Sequence, residues 1–404
     1  MRKTMNLFLL GGLSLLALAG CSKQGIDQLY SRAAGEEVVF GAVSRSYNPL
    51  TKTAYSGETN TVDGKKMERI DWVKGDQFRV YSNVAKHRYL DQKWADYQIM
   101  KDPTNNGAES VVTFGVNSDP GLAPVTEATL GSRFVSKNGL VWSEGEQEFY
   151  AIYPVSESAD GASGTLSAAI PADQNDPETL QYVPVKTEGT TVTKDGATDN
   201  LPKYGFMTAY TKATGGSANG GTKDGAVDLA FSPAFTAFEI TILADKDETD
   251  PITVKSFEMV SADKALVGAY SIKYTAGKAS YTCPAAAADN KSISLKFPDN
   301  TQITKDKALT FTVFALPQNL SGLSLKFTVA DGSDEITRTL PLTYAKAADG
   351  HAAGDAITFG ACMKHRLLGV AMQNRWVLYA GVTVQELVNV NNDESSTETM
   401  IFNF

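Results

Sequence analysis

Residue types that carry catalysis and metal binding are scarce in this sequence. Among 404 residues there are three histidines and three cysteines, and none has the spacing of ligands to one metal. The Gly-x-Ser-x-Gly elbow of hydrolases and the glycine-rich phosphate loops are also missing. His365 lies between Lys364 and Arg366, which favours a solvated basic patch over a catalytic base. We therefore predict no enzymatic activity, no metal site and no cofactor.

Cysteine is too sparse to build a disulfide scaffold. Besides Cys21 the chain contains only Cys283 and Cys362. In an oxidising compartment these two could form a single disulfide. As buried free thiols they would instead behave as small apolar side chains. The sequence leaves both interpretations open.

The sequence has fewer basic than acidic residues, with 37 Lys and Arg against 46 Asp and Glu. The formal net charge is −9, and it becomes −11 once the first twenty residues are removed together with Arg2 and Lys3. A net acidic surface repels phosphate backbones and anionic headgroups. Nucleic acid is therefore not expected as a partner.

Long apolar runs are absent except at the N-terminus, where the sequence predicts an export signal. Arg2 and Lys3 precede an apolar stretch over Leu7–Leu18, which is too short and too rich in glycine for a transmembrane helix. The stretch ends in the letters LAGC, a pattern that resembles a lipobox and makes Cys21 the predicted lipid attachment site. Because Ser22 is not the aspartate that retains lipoproteins in an inner membrane, we expect the outer membrane or the cell surface.

The rest of the chain is rich in short β-branched and aromatic runs, punctuated by 34 Gly and 15 Pro. The runs over 235–242 and 323–329 alternate apolar and polar residues, as half-buried strands do. Strands with one apolar face close naturally into sandwiches, so the predicted fold class is all-β. The predicted strands are Glu37–Val43, Gln77–Ser82, Val111–Val116, Glu148–Tyr153, Val227–Phe231, Phe235–Leu243, Ile293–Phe297, Leu309–Leu316, Leu323–Val329 and Val377–Val384.

The length of the chain suits two domains better than one core. Residues 212–225 are rich in Gly, Ser and Thr, which is typical of a linker or a long hairpin loop. Residues 156–200 are expected to form long surface loops. The predicted divisions are a signal peptide at 1–20, a lipid-linked tether at 21–35, an N-terminal β-sandwich at 36–211, the linker or loop at 212–225, and a C-terminal β-sandwich at 226–404 with a possible donor strand at 399–404.

The four tryptophans have two alternative roles. On the surface of a lipoprotein their rings could stack on sugars, whereas in a β-sandwich they more commonly pack in the core. The four are Trp72, Trp94, Trp142 and Trp376.

Six segments of the exported chain occur in a characteristic order. They are TKTAYSGE at 51–58, RIDWVKGD at 69–76, RVY at 79–81, FYAIYP at 149–154, FMTA at 206–209 and LAFSPAF at 229–235. Together with the lipobox, this order resembles the fimbrillin-like lipoproteins, the type V pilins and their relatives. The resemblance covers most of the chain after the signal peptide.

The resemblance implies two transthyretin-like β-sandwich domains in tandem and a role in assembly. In that family the lipoprotein precursor reaches the outer surface, where an Arg-specific protease removes the lipid anchor together with the first strand. A C-terminal strand of the next subunit then fills the opened groove, which is strand addition to a sheet edge. Repeating this contact head to tail without closing a ring gives a fibre.

The resemblance also implies where the chain would be cut. Residues 36–44 form a predicted strand that ends beside Arg45 and Ser46, so the bond between these two matches the family's processing site. A cut after Arg32 would spare the strand and open no groove, and Lys52 stands where relatives often carry arginine. Alternatively, Arg45 is an ordinary polar residue of a connecting loop.

The C-terminus carries a candidate donor strand. Met400, Phe402 and Phe404 would share one face of a strand, which either pairs within its own domain or fills the groove of a neighbour. One hypothesis is a structural subunit of a type V fimbria that associates with other subunits and an Arg-specific protease. The other is a surface-anchored tip adhesin or glycan-binding lipoprotein, which keeps its lipid in the outer membrane and binds a host protein or glycan.

Overall fold

The structure is a computed structural model, and it describes most of the chain that follows the tether. The described residues are 32–38, 40–43, 54–62, 65–71, 76–88, 90–101, 111–115, 139–175, 186–188, 191–193, 201–216, 227–245, 247–344, 350–373, 377–387 and 397–399. Within these ranges, no helix has the length and apolar character needed to cross a membrane.

The described chain is almost entirely β-structure, which confirms the predicted all-β fold class. All ten predicted runs fall on strands, and the chain also forms a 3-10 turn at Gly161–Ser163 and one short helix, α1 (Leu201–Tyr204). The strands are β1 (Phe40–Val43), β2 (Ala54–Val62), β3 (Lys65–Asp71), β4 (Gln77–Ser82), β5 (Lys86–His87), β6 (Trp94–Lys101), β7 (Val111–Gly115), β8 (Leu140–Val141), β9 (Gly145–Tyr153), β10 (Thr165–Ile170), β11 (Lys186–Glu188), β12 (Thr191–Thr193), β13 (Met207–Gly215), β14 (Val227–Ala230), β15 (Ser232–Pro233), β16 (Thr236–Ala244), β17 (Ile252–Ser261), β18 (Gly268–Thr275), β19 (Lys278–Thr282), β20 (Ser292–Lys296), β21 (Gln302–Ile303), β22 (Leu309–Ala315), β23 (Leu323–Asp331), β24 (Asp334–Pro341), β25 (Lys364–Gln373), β26 (Val377–Leu387) and β27 (Thr397–Thr399).

We call the residues up to 216 the first half of the chain and those from 227 onward the second half. Six strands of the first half and two of the second build an eight-stranded sheet in the order β14-β1-β7-β6-β4-β9-β13-β15. Four aromatic side chains from different strands, Phe40, Phe78, Tyr97 and Phe149, are fully buried. Their neighbouring rings lie 4.9–5.9 Å apart between centroids, and the contacts that involve Phe40 are edge-to-face. Because aromatic pairs of this kind contribute beyond their buried area, this cluster anchors the first half of the core.

The second half builds two larger sheets that pack face to face. One has the order β22-β16-β25-β26-β27, and the other has the order β20-β17-β23-β24 with β21 also paired to β17. Phe311 of the first sheet contacts Phe257 and Phe327 of the second, at centroid distances of 4.8 and 6.4 Å. This packing is that of a β-sandwich.

The two alternating runs differ in outcome. Strand β23 alternates buried and half-buried residues, as predicted for 323–329. The prediction of a half-buried strand over 235–242 is wrong, because the polar residues Glu239 and Thr241 of β16 are each only 2 % exposed. Alternation in sequence therefore marks a strand correctly but does not show whether its polar face is covered.

Strand pairs connect the two halves in addition to the covalent chain. Strand β13 continues through residue 215, and β14 and β15, which follow the predicted linker, pair with β1 and β13 in the first sheet. Strand β10 pairs with β18 of the second half in a three-stranded sheet with β19. The expectation of surface loops over 156–200 is thus wrong for β10, while the tandem two-domain division stays a prediction.

Candidate functional site

The N-terminal segment comprises residues 32–38 and 40–43. The candidate site is the groove that holds this segment, and we call this groove its seat. The strand of the segment, β1, lies between two neighbours: it pairs parallel with β14 and antiparallel with β7. In the register, Phe40 stands opposite Val227 on one side and Thr113 on the other. The first described strand of the chain is therefore an interior strand of its sheet, with backbone partners along both edges.

Two side chains of the N-terminal segment enter the core. Val38 and Phe40, two residues apart and hence on one face of the extended chain, are both completely buried. The Phe40 ring meets Tyr97 and Phe149 edge to face, at 4.9 and 5.1 Å between centroids. Burying each of these side chains contributes roughly 1.5–3 kcal/mol.

The earlier part of the segment is held by a second set of backbone bonds. The N–H groups of Gly35 and Val38 donate to the carbonyl oxygens of Trp142 and Leu140 at 2.9 and 2.8 Å. The Gly216 N–H donates to the carbonyl oxygen of Arg32 at 2.9 Å. Arg32 therefore lies inside the hydrogen-bonded part of the segment.

The segment itself carries a partly buried carboxylate, and nothing in the local sequence predicts its burial. An Oε1 atom of Glu37 is shielded from solvent, and a Cβ added at Gly139 would overlap this carboxylate and crowd the hydroxyl of Tyr97. Burial, reinforced by the negative charge of Glu37, raises the pKa of Tyr97 well above its usual value. The Tyr97 hydroxyl accepts a bond from the Leu140 N–H at 2.9 Å. Glycine at 139 thus leaves room for the acid.

The last strand that the structure describes is β27, which ends one residue before the predicted donor residues. Strand β27 (Thr397–Thr399) pairs antiparallel with β26, and Thr399 stands opposite Thr383 at the edge of the sheet. The predicted donor residues Met400, Phe402 and Phe404 lie outside the described residues, as do Cys21, Arg45 and Ser46. Their roles therefore stay predictions.

The prediction of a solvated patch around His365 is wrong. Lys364 is buried and Arg366 is partly buried beside Glu239, with Lys364 Nζ 2.7 Å from Oε2 and Arg366 Nε 3.1 Å from Oε1. His365 is fully buried on the opposite face, stacked 5.2 Å from Phe238. Strand alternation separates the three residues, since neighbours along a strand point to opposite faces.

The remaining histidine and cysteine side chains are the other candidates for metal binding. Across the described ranges, no three His, Cys, Asp or Glu side chains are placed to hold a metal ion. His87 is buried, and its Nδ1 accepts from the Leu90 N–H at 3.1 Å. Cys283 and Cys362 are free, partly buried thiols, and burial raises the pKa of each.

Two tryptophans are described, and both are engaged within the protein. Trp142 is 2 % exposed and meets Phe149 edge to face. Trp94 is partly buried, and the guanidinium of Arg79 lies 3.8 Å from the centroid of its ring. Arg79 is itself fixed by Asp96, so this cation covers one face of the indole that a sugar would otherwise stack on. Trp72 and Trp376 lie outside the described residues.

Comparisons with known proteins identify the family. The family model described as fimbrillin-like matches residues 59–370. Among solved structures, candidate cell adhesion proteins from Bacteroides uniformis and Bacteroides ovatus are each 16 % identical, with TM-scores of 0.44; the alignments cover 87 % and 85 % of this chain and 99 % of each of those chains. The tip fimbrial protein Mfa3 from Porphyromonas gingivalis, with a C-terminal truncation, is 10 % identical over 81 % of this chain and 94 % of its own, with a TM-score of 0.31. A search of curated proteins gives no match.

The family match spans well over half of the chain and includes the strands that surround the N-terminal segment. It also agrees with the resemblance carried by the ordered sequence segments. The chain therefore belongs to the fimbrillin-like family.

Proposed function

We propose that this chain is a structural subunit of a type V fimbria on the cell surface. It would be exported as an outer-membrane lipoprotein through Cys21, cut between Arg45 and Ser46, and polymerised by strand exchange. The observation that carries the proposal is the interior position of β1 between β7 and β14. Removing an interior strand exposes two backbone edges at once, which is the situation that a donor strand relieves.

The shape of the seat supports this proposal. Departure of the N-terminal segment would empty the sites of Val38 and Phe40, the second of which is lined by Tyr97 and Phe149. A replacement strand needs apolar side chains at every second residue to fill such sites. The C-terminal run Met400-Ile401-Phe402-Asn403-Phe404 has this spacing. The proposed partner is therefore the C-terminus of another subunit.

The proposed cut falls close to the seat. Arg45 is two residues beyond Val43, the last residue of β1, so cleavage there would sever the covalent link of the whole segment and its lipid to the rest of the chain. A cut after Arg32 would leave both β1 and the buried Val38 attached. The Arg-specific surface protease is accordingly proposed to act at Arg45.

A second candidate function is a surface-anchored adhesin or glycan-binding lipoprotein that keeps its lipid and binds a host protein or glycan. The observation that favours it is the pairing of β27 with β26, which places Thr397–Thr399, directly before the predicted donor residues, in the sheet of their own chain. A subunit that retains both terminal strands would end or anchor an assembly without extending it.

Intact-mass measurement of the protein recovered from the cell surface distinguishes the two functions. Polymerisation predicts a wild-type chain that begins at Ser46 and a detergent-resistant ladder on gels. Arg45→Ala should instead retain a lipidated Cys21 and lose the ladder, because the interior strand can no longer leave. Arg32→Ala is the matched control and should process like the wild type. A lipidated wild-type chain without a ladder would reject the polymer subunit and support the anchored adhesin.

A further inference from the structure

An arm of the first half reaches into the second half. We define the arm as residues 165–175, which comprise β10 and the five residues after it and follow the central strand β9. Six residues of β10 pair antiparallel with β18, from Thr165 opposite Lys273 to Ile170 opposite Gly268. Three alternating side chains of β10, Leu166, Ala168 and Ile170, are at most 5 % exposed. The arm is therefore a buried strand in a sheet whose other members belong to the second half.

The end of the arm continues along a second strand edge. The Ser294 N–H of β20 donates to the Ala172 carbonyl oxygen at 2.8 Å, and the Gln174 N–H donates to the Ser294 carbonyl oxygen at 3.2 Å. The Lys296 N–H donates to Oδ1 of Asn175 at 2.5 Å. Strand β20 is the edge of its four-membered row, so the arm covers an edge of the second sandwich.

A third contact involves one fully buried amide. The Gln174 side chain donates through Nε2 to the Phe314 carbonyl oxygen at 2.6 Å and accepts at Oε1 from the Phe314 N–H at 2.9 Å. Phe314 belongs to β22, the edge strand of the other large sheet of the second half. The Gln174 amide thus satisfies both backbone groups of an edge residue, as a neighbouring strand would.

Tyrosines from both halves also pack against each other. Tyr274 of β18 stacks on Tyr210 of the first half, with centroids 5.5 Å apart and rings 19° from parallel. Its hydroxyl is 2.9 Å from Oγ1 of Thr208. Glu148 accepts bonds from the hydroxyls of Tyr150 and Tyr210, which lower its pKa. Tyr274 of the second half therefore packs on Tyr210 of the first half, whose hydroxyl is hydrogen-bonded to Glu148.

We propose that the arm acts as a donor strand within the chain, so that the two halves unfold as one cooperative unit. The arm supplies partners to β18, β20 and β22, which belong to three different sheets of the second half. Opening of the first half that pulls the arm away would leave these edges without those partners. The proposal does not depend on the proposed function.

Native-state hydrogen exchange of the full chain tests the coupling. Val80→Ala removes two methyl groups from a fully buried site of the first half and should raise the exchange rates of its slowest amides about tenfold. In a cooperative unit, the amides of Phe257 and Phe327, which pair in the second half, accelerate by the same factor. Unchanged exchange at these two positions would overturn the proposal.

A second variant locates the coupling in the arm. Ile170→Asp combined with Gln174→Ala disrupts two buried contacts of the arm, and in this background Val80→Ala should accelerate exchange in the first half alone. The matched control is Gln147→Ala, which removes an equally buried glutamine whose amide bonds to the Ser143 backbone within the first half. With Gln147→Ala the acceleration should still reach Phe257 and Phe327. Coupling that survives in the arm variant would show that the arm does not carry it. If the arm variant does not fold, Val80→Ala alone still decides the cooperativity.

Discussion

At the residue scale, His365 couples the stability of the protein to pH. The ring is fully buried against Phe238 and Phe359, and burial lowers its pKa to about 4. In the unfolded chain the pKa returns to about 6.5, so between these values the unfolded state binds the proton and the folded state does not. The contribution of His365 therefore leaves the free energy of unfolding unchanged above pH 6.5. As the pH drops towards 4, this contribution lowers the free energy of unfolding by about 3 kcal/mol in all. Denaturant unfolding at several pH values measures this loss.

Variants separate His365 from the carboxylates that also titrate at low pH. His365→Gln cannot take up the proton, so its unfolding free energy should fall less steeply between pH 6.5 and 4. His351→Gln changes an exposed histidine stacked on Tyr344 and should leave the slope of the wild type unchanged. Equal slopes for the wild type and His365→Gln would contradict the assignment.

The surroundings of Glu239 show why burial of charge could not be predicted from sequence. Glu239, Lys364 and Arg366 have 2, 3 and 12 % of their side chains exposed, although Glu239 occupies a polar position of an alternating run and the other two flank His365 in a basic triplet. In the sequence such positions are indistinguishable from a solvated face, because the covering elements are far away along the chain. Once such a face is covered, opposite charges have to be paired, since an isolated buried charge costs several kcal/mol.

At the scale of elements, strand positions could be predicted and their partners could not. The run over 148–153 is β9, because aromatic and β-branched residues favour a pleated strand wherever it lies. Strand β10 escaped prediction, since its letters TLSAAI include only two large apolar residues within a stretch rich in Gly, Asp and Ala. Its burial comes from a partner strand about a hundred residues later. The seat of the N-terminal segment was predictable only as a strand beside an arginine, whereas Glu37, Gly139 and Tyr97 carried no local signal.

Gly139 controls how firmly the N-terminal segment is held. A Cβ at this position would overlap the Glu37 carboxylate, so Gly139→Ala should displace the end of this side chain and loosen the segment that carries it. The amides of Gly35 and Val38, bonded to Trp142 and Leu140, should then exchange about fivefold faster, as expected for a loss of about 1 kcal/mol at the low end of overpacking costs. Glu144→Ala, an exposed residue before β9, is the control and should leave both amides protected. Unchanged exchange in Gly139→Ala would mean that the segment tolerates the added carbon.

At the scale of the whole molecule, the proposed assembly would use the groove of the N-terminal strand as the acceptor and the apolar C-terminal run as the donor. A contact between unlike ends does not close on itself, so it can repeat without limit. In this proposal the N-terminal segment would stay in its groove after the chain is cut, until a donor strand replaces it. Phe40 should contribute strongly to holding the segment, because its ring packs edge to face with Tyr97 and Phe149.

Release of the segment from the cut chain should therefore depend on Phe40. We expect that full-length protein, cut after Arg45 by an Arg-specific endopeptidase, keeps the segment bound, and that a peptide of residues 391–404 displaces it. Phe40→Ala removes about 3–5 kcal/mol of packing, so the segment should leave at least a hundredfold faster, as followed by mass spectrometry of the retained fragment. Glu36→Ala, at an exposed residue of the same segment, should release it at the wild-type rate. Equal release rates for Phe40→Ala and the wild type would show that Phe40 does not determine how firmly the segment is bound. A peptide that never binds in the emptied groove would contradict the donor role of the C-terminus.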